Sequence, residues 1–128
     1  MSERMKASEL VKLHTVKPKK NKYGAERITV DGITFDSKRE ARRWQELLLL
    51  QRTGKICDLQ RQVPLHLEGR DGPVLTENGN QRLLRVDFVY FDRALGVTVY
   101  EDAKGYETKD SILKRDVLRA QGRDVVLV

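Results

Sequence analysis

Two acidic residues stand where acid is expensive. Asp87 interrupts the run Val86-Asp87-Phe88-Val89-Tyr90-Phe91, and Asp102 lies within Val99-Tyr100-Glu101-Asp102-Ala103-Lys104. An ionised carboxylate in an apolar strand costs free energy unless a cation pairs with it. Alternation along a strand puts Asp102 and Lys104 on one face and Glu101 on the other. If the two segments pair as a hairpin, one register sets Asp87 opposite Asp102, and a slip of one residue sets it beside Glu101. Turn length does not settle the choice. The register with Asp102 is preferred because it also brings Lys104 to the patch.

Two carboxylates at one spot repel each other and are stable only with a divalent cation or a shared proton. Oxygen ligands without imidazole or thiolate favour Mg²⁺ or Mn²⁺ over zinc. A lysine beside such an ion can orient or deprotonate a water and offset charge on a pentavalent phosphate. The chemistry implied is metal-assisted hydrolysis of a phosphodiester. The reading without chemistry is a buried Asp87–Lys104 ion pair that fixes the strand register, with Asp102 exposed.

These residues need a scaffold, and the hydrophobic pattern supplies one. Asp31-Gly32 between Arg27–Val30 and Ile33–Phe35 is a strong hairpin signal. Asp36-Ser37 then opens a helix to about Thr53, closed by Gly54, with Ala41, Trp44, Leu47 and Leu48 at helical spacing. Val63–Leu67 alternates and contains Pro64, as a strand near an edge would. Residues 69–80 read as a long connection. Leu83–Phe91 and Val97–Lys104 read as strands, and 109–121 as a helix with Ile112, Leu113, Val117 and Ala120 inward. Val125–Val128 reads as a last apolar strand. The order hairpin-α-β-β-β-α-β predicts an α/β domain with a mixed sheet flanked by two helices.

The chain has 128 residues, 39% of them hydrophobic, which suits one domain burying roughly two-thirds of its unfolded surface. A single cysteine, Cys57, excludes an internal disulfide. With only His14 and His66 beside it, a cysteine-based zinc site is excluded too. No apolar run reaches the roughly 18 residues of a membrane span, and the N-terminus lacks a signal-peptide core. A soluble protein of the cytoplasm is expected, with no membrane partner. Net charge is +6, of which residues 1–22 hold +5 (seven basic, two acidic) and residues 23–128 only +1. A basic arm of 1–22 before a domain of 23–128 suggests attraction to a polyanion, most simply nucleic acid. The bland reading is a solubilising tail.

The series Glu40 on a helix, Asp87 in a strand and Asp102-x-Lys104 in the next strand resembles the PD-(D/E)xK nuclease superfamily. The wording ITFDSKREARRW…RVDFVYF…VYEDAKGYET…LKR is similar to small phage-encoded proteins of that superfamily, and the element order resembles archaeal Holliday junction resolvases. The resemblance covers residues 27–128. It departs from the superfamily's name at Val86, where proline would stand. It implies a restriction-endonuclease-like core and a Mg²⁺- or Mn²⁺-dependent DNA endonuclease, acting on branched or recombination DNA, in the host cytoplasm if phage-encoded. By resemblance Asp87 and Asp102 bind the metal with the carbonyl of Ala103, Lys104 positions the attacking water, and Glu40 is a further ligand. Glu40 also fits a capping box Ser37-x-x-Glu40, in which it would satisfy the N–H of Ser37.

Arg39, Arg42 and Arg43 on the first helix, with Lys109, Lys114, Arg115 and Arg119 around the second, are candidate phosphate contacts, or simply solvated faces. Tyr23 and Tyr106 flank the candidate site in sequence. Trp44 reads as core, Cys57 as a small buried hydrophobe, and the two histidines as structural or solvent-facing. Cutting two strands with one small site favours a C2 homodimer. The alternative function is a catalytically silent nucleic-acid-binding accessory protein that keeps the fold.

Overall fold

Asp31 and Gly32 both take positive φ, 54° and 79°, as the two central residues of a type I′ hairpin turn must. They join β1 (Ile28–Val30) to β2 (Ile33–Phe35) in antiparallel register, Val30 opposite Ile33. The computed structural model describes residues 27–103 and 107–128. The basic arm, His14, Tyr23, Lys104 and Tyr106 therefore lie outside the described residues. The chain divides into two compact units, Met1–Gln45 and Glu46–Val128, with the boundary inside helix α1 (Lys38–Arg52).

In the first unit Ile28, Val30, Phe35 and Ala41 form a small core, with Ile33 and Trp44 packed against it. The Phe35 and Trp44 rings lie 6.4 Å apart, tilted by 43°, which makes Trp44 a packing residue as expected. Helix α1 starts where Ser37 Oγ accepts from the Glu40 N–H at 3.1 Å. It ends in the second unit with Gly54 at φ 83°. There Lys55 N–H reaches Leu50 O (2.9 Å) and Gly54 N–H reaches Gln51 O (3.1 Å), a Schellman close.

The second unit holds a four-stranded sheet in the order β3-β6-β7-β8, with β3 (Ile56–His66), β6 (Leu83–Asp92), β7 (Val97–Asp102) and β8 (Val125–Leu127). The first three are antiparallel neighbours, and β8 runs parallel to β7 after a crossover through α2 (Lys109–Ala120). The sheet is mixed, as the element order predicts. Its core gathers Leu65, Leu67, Leu84, Val86, Val89, Leu118 and Val125. Between β3 and β6 the chain forms a small hairpin, β4 (Glu68–Gly69) with β5 (Gly72–Pro73), closed by a Leu75–Gln81 bridge. The long connection expected at residues 69–80 thus contains part of an ordered hairpin.

Three sequence expectations need correction. Strand β3 begins at Ile56, not Val63, because polar residues conceal seven further strand positions, including the shift between Cys57 and Gln60. Helix α2 is rotated from the predicted face: Ser111 and Leu118 are buried, while Ile112, Leu113 and Ala120 are exposed. Leu118 joins the core of the sheet with Val117 packed against it, and Ser111, two turns earlier on the Leu118 face, is buried in a reciprocal cap with Thr108. The last strand is apolar yet only Val125 is buried, because β8 lies at the end of the sheet order.

Candidate metal centre

The β6–β7 hairpin turns on Asp92, whose Oδ1 accepts from the N–H groups of Ala94 (2.9 Å) and Leu95 (3.0 Å). This side-chain turn fixes the register: Asp92 faces Val97, Tyr90 faces Val99, and Phe88 faces Glu101. One step further the same register sets Asp87 across from Asp102. The slip that would pair Asp87 with Glu101 does not occur.

Each aspartate side chain is held by a backbone N–H from across the hairpin. The N–H of Asp87 donates to Asp102 Oδ1 at 3.0 Å, and the N–H of Ala103 donates to Asp87 Oδ2 at 2.8 Å. Asp102 is 1% exposed, whereas Asp87 is partly open to solvent. The main-chain carbonyl of Asp102 accepts from Val128 N–H at 3.0 Å, so β8 holds this residue from the other side. From β3, Gln62 Nε2 donates to Asp87 Oδ1 at 3.2 Å. Gln62 lies between the Arg61–Phe88 and Val63–Val86 pairs. Gln62, Asp87 and Asp102 thus form a row across three strands. Sequence reasoning missed Gln62. The alternation of Leu59, Arg61, Val63, Leu65 and Leu67, read back past Pro64, would have placed it in the strand.

Glu101 faces away from this row, as alternation requires. It is 2% exposed and accepts a hydrogen bond from the buried Tyr90 hydroxyl. Glu40, in the first unit, is 3% exposed. Its Oε1 accepts from the N–H of Asp36 at 3.2 Å, one residue earlier than the predicted capping-box partner Ser37. Its cap role is therefore displaced but present.

The donor chemistry suits a hard cation. Mg²⁺ is usually bound through one or two carboxylates and keeps several waters, and Asp87 with Asp102 meets that requirement with oxygen alone. A carboxylate offers about four lone-pair sites, so orienting bonds and cation ligation are compatible on one group. Among the described residues no three His, Cys, Asp or Glu side chains gather as a ready cluster, so the pair is the unit to consider.

Residues 20–128 match the family described as "Protein of unknown function (DUF1064)". The chain belongs to this family. No curated protein and no solved structure matches the DUF1064 chain. The matched span includes Glu40, Asp87, Asp102 and Lys104 and omits most of the basic arm.

The candidate phosphate contacts of this DUF1064 chain differ in their surroundings. Arg39 and Lys109 are exposed, and Arg43 is half-buried. Lys114 pairs with Asp110 at 3.1 Å, and the 14%-exposed Arg115 pairs with Glu107, so each already has an acidic neighbour. A cavity of about 500 Å³ lined by Leu50, Lys55, Ile56, Asp92, Arg93 and Ala94 opens at the turn end of the hairpin, away from Asp87. Cys57 is half-buried and its thiol donates to Asp58 Oδ2 at 3.7 Å; His66 is exposed. Among the described residues no helix is long and apolar enough to cross a membrane.

Proposed function

We propose that this chain is a Mg²⁺- or Mn²⁺-dependent DNA endonuclease with a restriction-endonuclease-like core, acting in the cytoplasm on branched or recombination DNA. One observation carries the reading: Asp87 and Asp102 meet on neighbouring strands, the Asp102 carboxylate tied to the backbone of Asp87 and the Asp87 carboxylate to that of Ala103. A purely structural pair of acids would be a costly way to join two strands.

In this reading Asp87 and Asp102 hold the cation, with the Ala103 carbonyl beside them; a ligand role for Glu40 rests on the resemblance alone. When bound, the cation polarises a phosphoryl oxygen and makes a water more acidic. Lys104 orients that water and offsets charge developing on the phosphate. Asp102, buried and anchored on both sides, keeps its place, while the more open Asp87 faces the substrate. Arg39, Arg43, Lys109 and the basic arm contact DNA phosphates; Lys114 and Arg115 join them by exchanging their acidic partners. A C2 dimer presents two such sites to two strands.

The test is cleavage of labelled linear, flapped and four-way DNAs by the full chain with Mg²⁺ or Mn²⁺. Activity should vanish with chelator. It should fall by about 10³-fold in Asp87→Asn and Asp102→Asn, as expected when several kcal/mol of metal-assisted stabilisation is lost. Metal-dependent cleavage of none of these DNAs would overturn the proposal, and salt-sensitive DNA binding without cleavage would favour the accessory reading.

A further inference from the structure

Among the described residues three that are not glycine take left-handed φ: Asp31 (54°), Asp58 (56°) and Gln62 (55°). Asp31 belongs to the I′ turn, and Asp58 to the stretch between Cys57 and Gln60 where the register of β3 shifts. Each has a local reason. Gln62 has neither: Arg61–Phe88 and Val63–Val86 flank it with the register unchanged, in the body of an antiparallel pair. Glutamine also lacks the short side chain that lets Asp and Asn adopt this region readily. Strain of this kind persists where the surrounding structure enforces it, and it concentrates at functional sites.

The twist at Gln62 is accompanied by two contacts. Its carbonyl accepts from Arg85 Nη1 at 3.3 Å, and its amide Nε2 reaches Asp87 Oδ1 at 3.2 Å. Asp87 is consequently bracketed, with the Gln62 amide on Oδ1 and the Ala103 N–H on Oδ2. Both donors are neutral. They fix the rotation of the carboxylate without placing a positive charge next to a cation, as Lys or Arg would. Groups that orient a ligating carboxylate in this way commonly govern affinity for the metal.

We infer that Gln62 is a positioning residue, held in a strained backbone so that its amide aims the Asp87 carboxylate at a divalent cation. This rests on the metal-dependent reading above. The discriminating variant is Gln62→Gly, which accepts φ 55° without penalty but has no amide. Mn²⁺ binding to the full chain, read by electron paramagnetic resonance, should weaken 10- to 100-fold in Gln62→Gly. The metal-free variant should melt no lower than the wild type. Gln62→Met, similar in length but without the donor, should lose Mn²⁺ affinity similarly. In cleavage assays the half-saturating Mn²⁺ concentration should rise while kcat at saturating metal stays near the wild-type value. Wild-type Mn²⁺ affinity in Gln62→Gly and Gln62→Met would overturn this inference and leave the metal reading standing. A folded wild-type chain that binds no Mn²⁺ would overturn both.

Discussion

The hydroxyl of Tyr90 donates to the carboxylate of Glu101 on the face of the β6–β7 hairpin opposite Asp87 and Asp102. The hairpin thus carries acid on both faces, one pair facing the candidate centre and one acid–phenol pair buried behind it. Tyr90→Phe should cost roughly 1–3 kcal/mol of stability, because a buried carboxylate loses a donor. Cleavage at saturating metal should change little. Urea denaturation and a cleavage assay on the same preparation check both statements.

Glu40 separates ligand from cap by substitution. Glu40→Gln keeps an oxygen that can accept from Asp36 N–H, so its melting temperature should fall little. If Glu40 serves the metal, cleavage should drop by orders of magnitude. Ser37→Ala removes the acceptor for Glu40 N–H and should cost about 1 kcal/mol while cleavage survives. Comparable small losses in both variants, with cleavage intact, would reduce Glu40 to its cap role.

The arm is tested by charge alone. Replacing Lys17, Lys19, Lys20 and Lys22 by Ser in the full chain removes four of its seven basic groups. Each lost phosphate contact should flatten the log–log salt dependence of duplex binding by roughly 0.9. Three or four lost contacts are easily read by fluorescence anisotropy across a salt series. An unchanged slope would identify the arm as a solubilising segment.

Leu118 and Leu113 share a helix and differ in burial, 0% against 63% exposed. Leu118→Ala should destabilise by about 2–5 kcal/mol. Leu113→Lys should stay within about 0.5 kcal/mol of the wild type. Equal losses would return the helix to its predicted face.

That pair also marks how far the sequence could be read. The hairpin turn at Asp31-Gly32, the helix expected to about Thr53 and the strand expected at 83–91 carry local signals and form; of the strand expected at 97–104, Val97–Asp102 forms, and Lys104 lies outside the described residues. The Asp87–Asp102 register is preferred for the sake of Lys104, not read from the turn; the bonds from Ala94 and Leu95 to Asp92 are what set it. The face of α2 was misread because apolar spacing admits two rotations, and the docking of Leu118 and Val117 on the sheet core, a tertiary contact, selects one of them. Gln62 was missed for another reason. Its place depends on a strand concealed by polar residues and on a backbone angle that glutamine does not announce.

The Asp92 turn also has a consequence in time. It closes a loop of four residues, Arg93 to Gly96, so the entropic cost of bringing β6 and β7 together is small and hairpin closure takes microseconds. β3 must instead return across the excursion from Leu67 to Arg82, and β8 must wait for α2. Folding is therefore expected to unite the two aspartates first and to bring Gln62 and Val128 to them afterwards. On that order Asp92→Ala should slow refolding nearly as much as it lowers stability, whereas Val125→Ala should mainly hasten unfolding. Stopped-flow chevrons of the two variants would show whether the site is assembled from its centre outward.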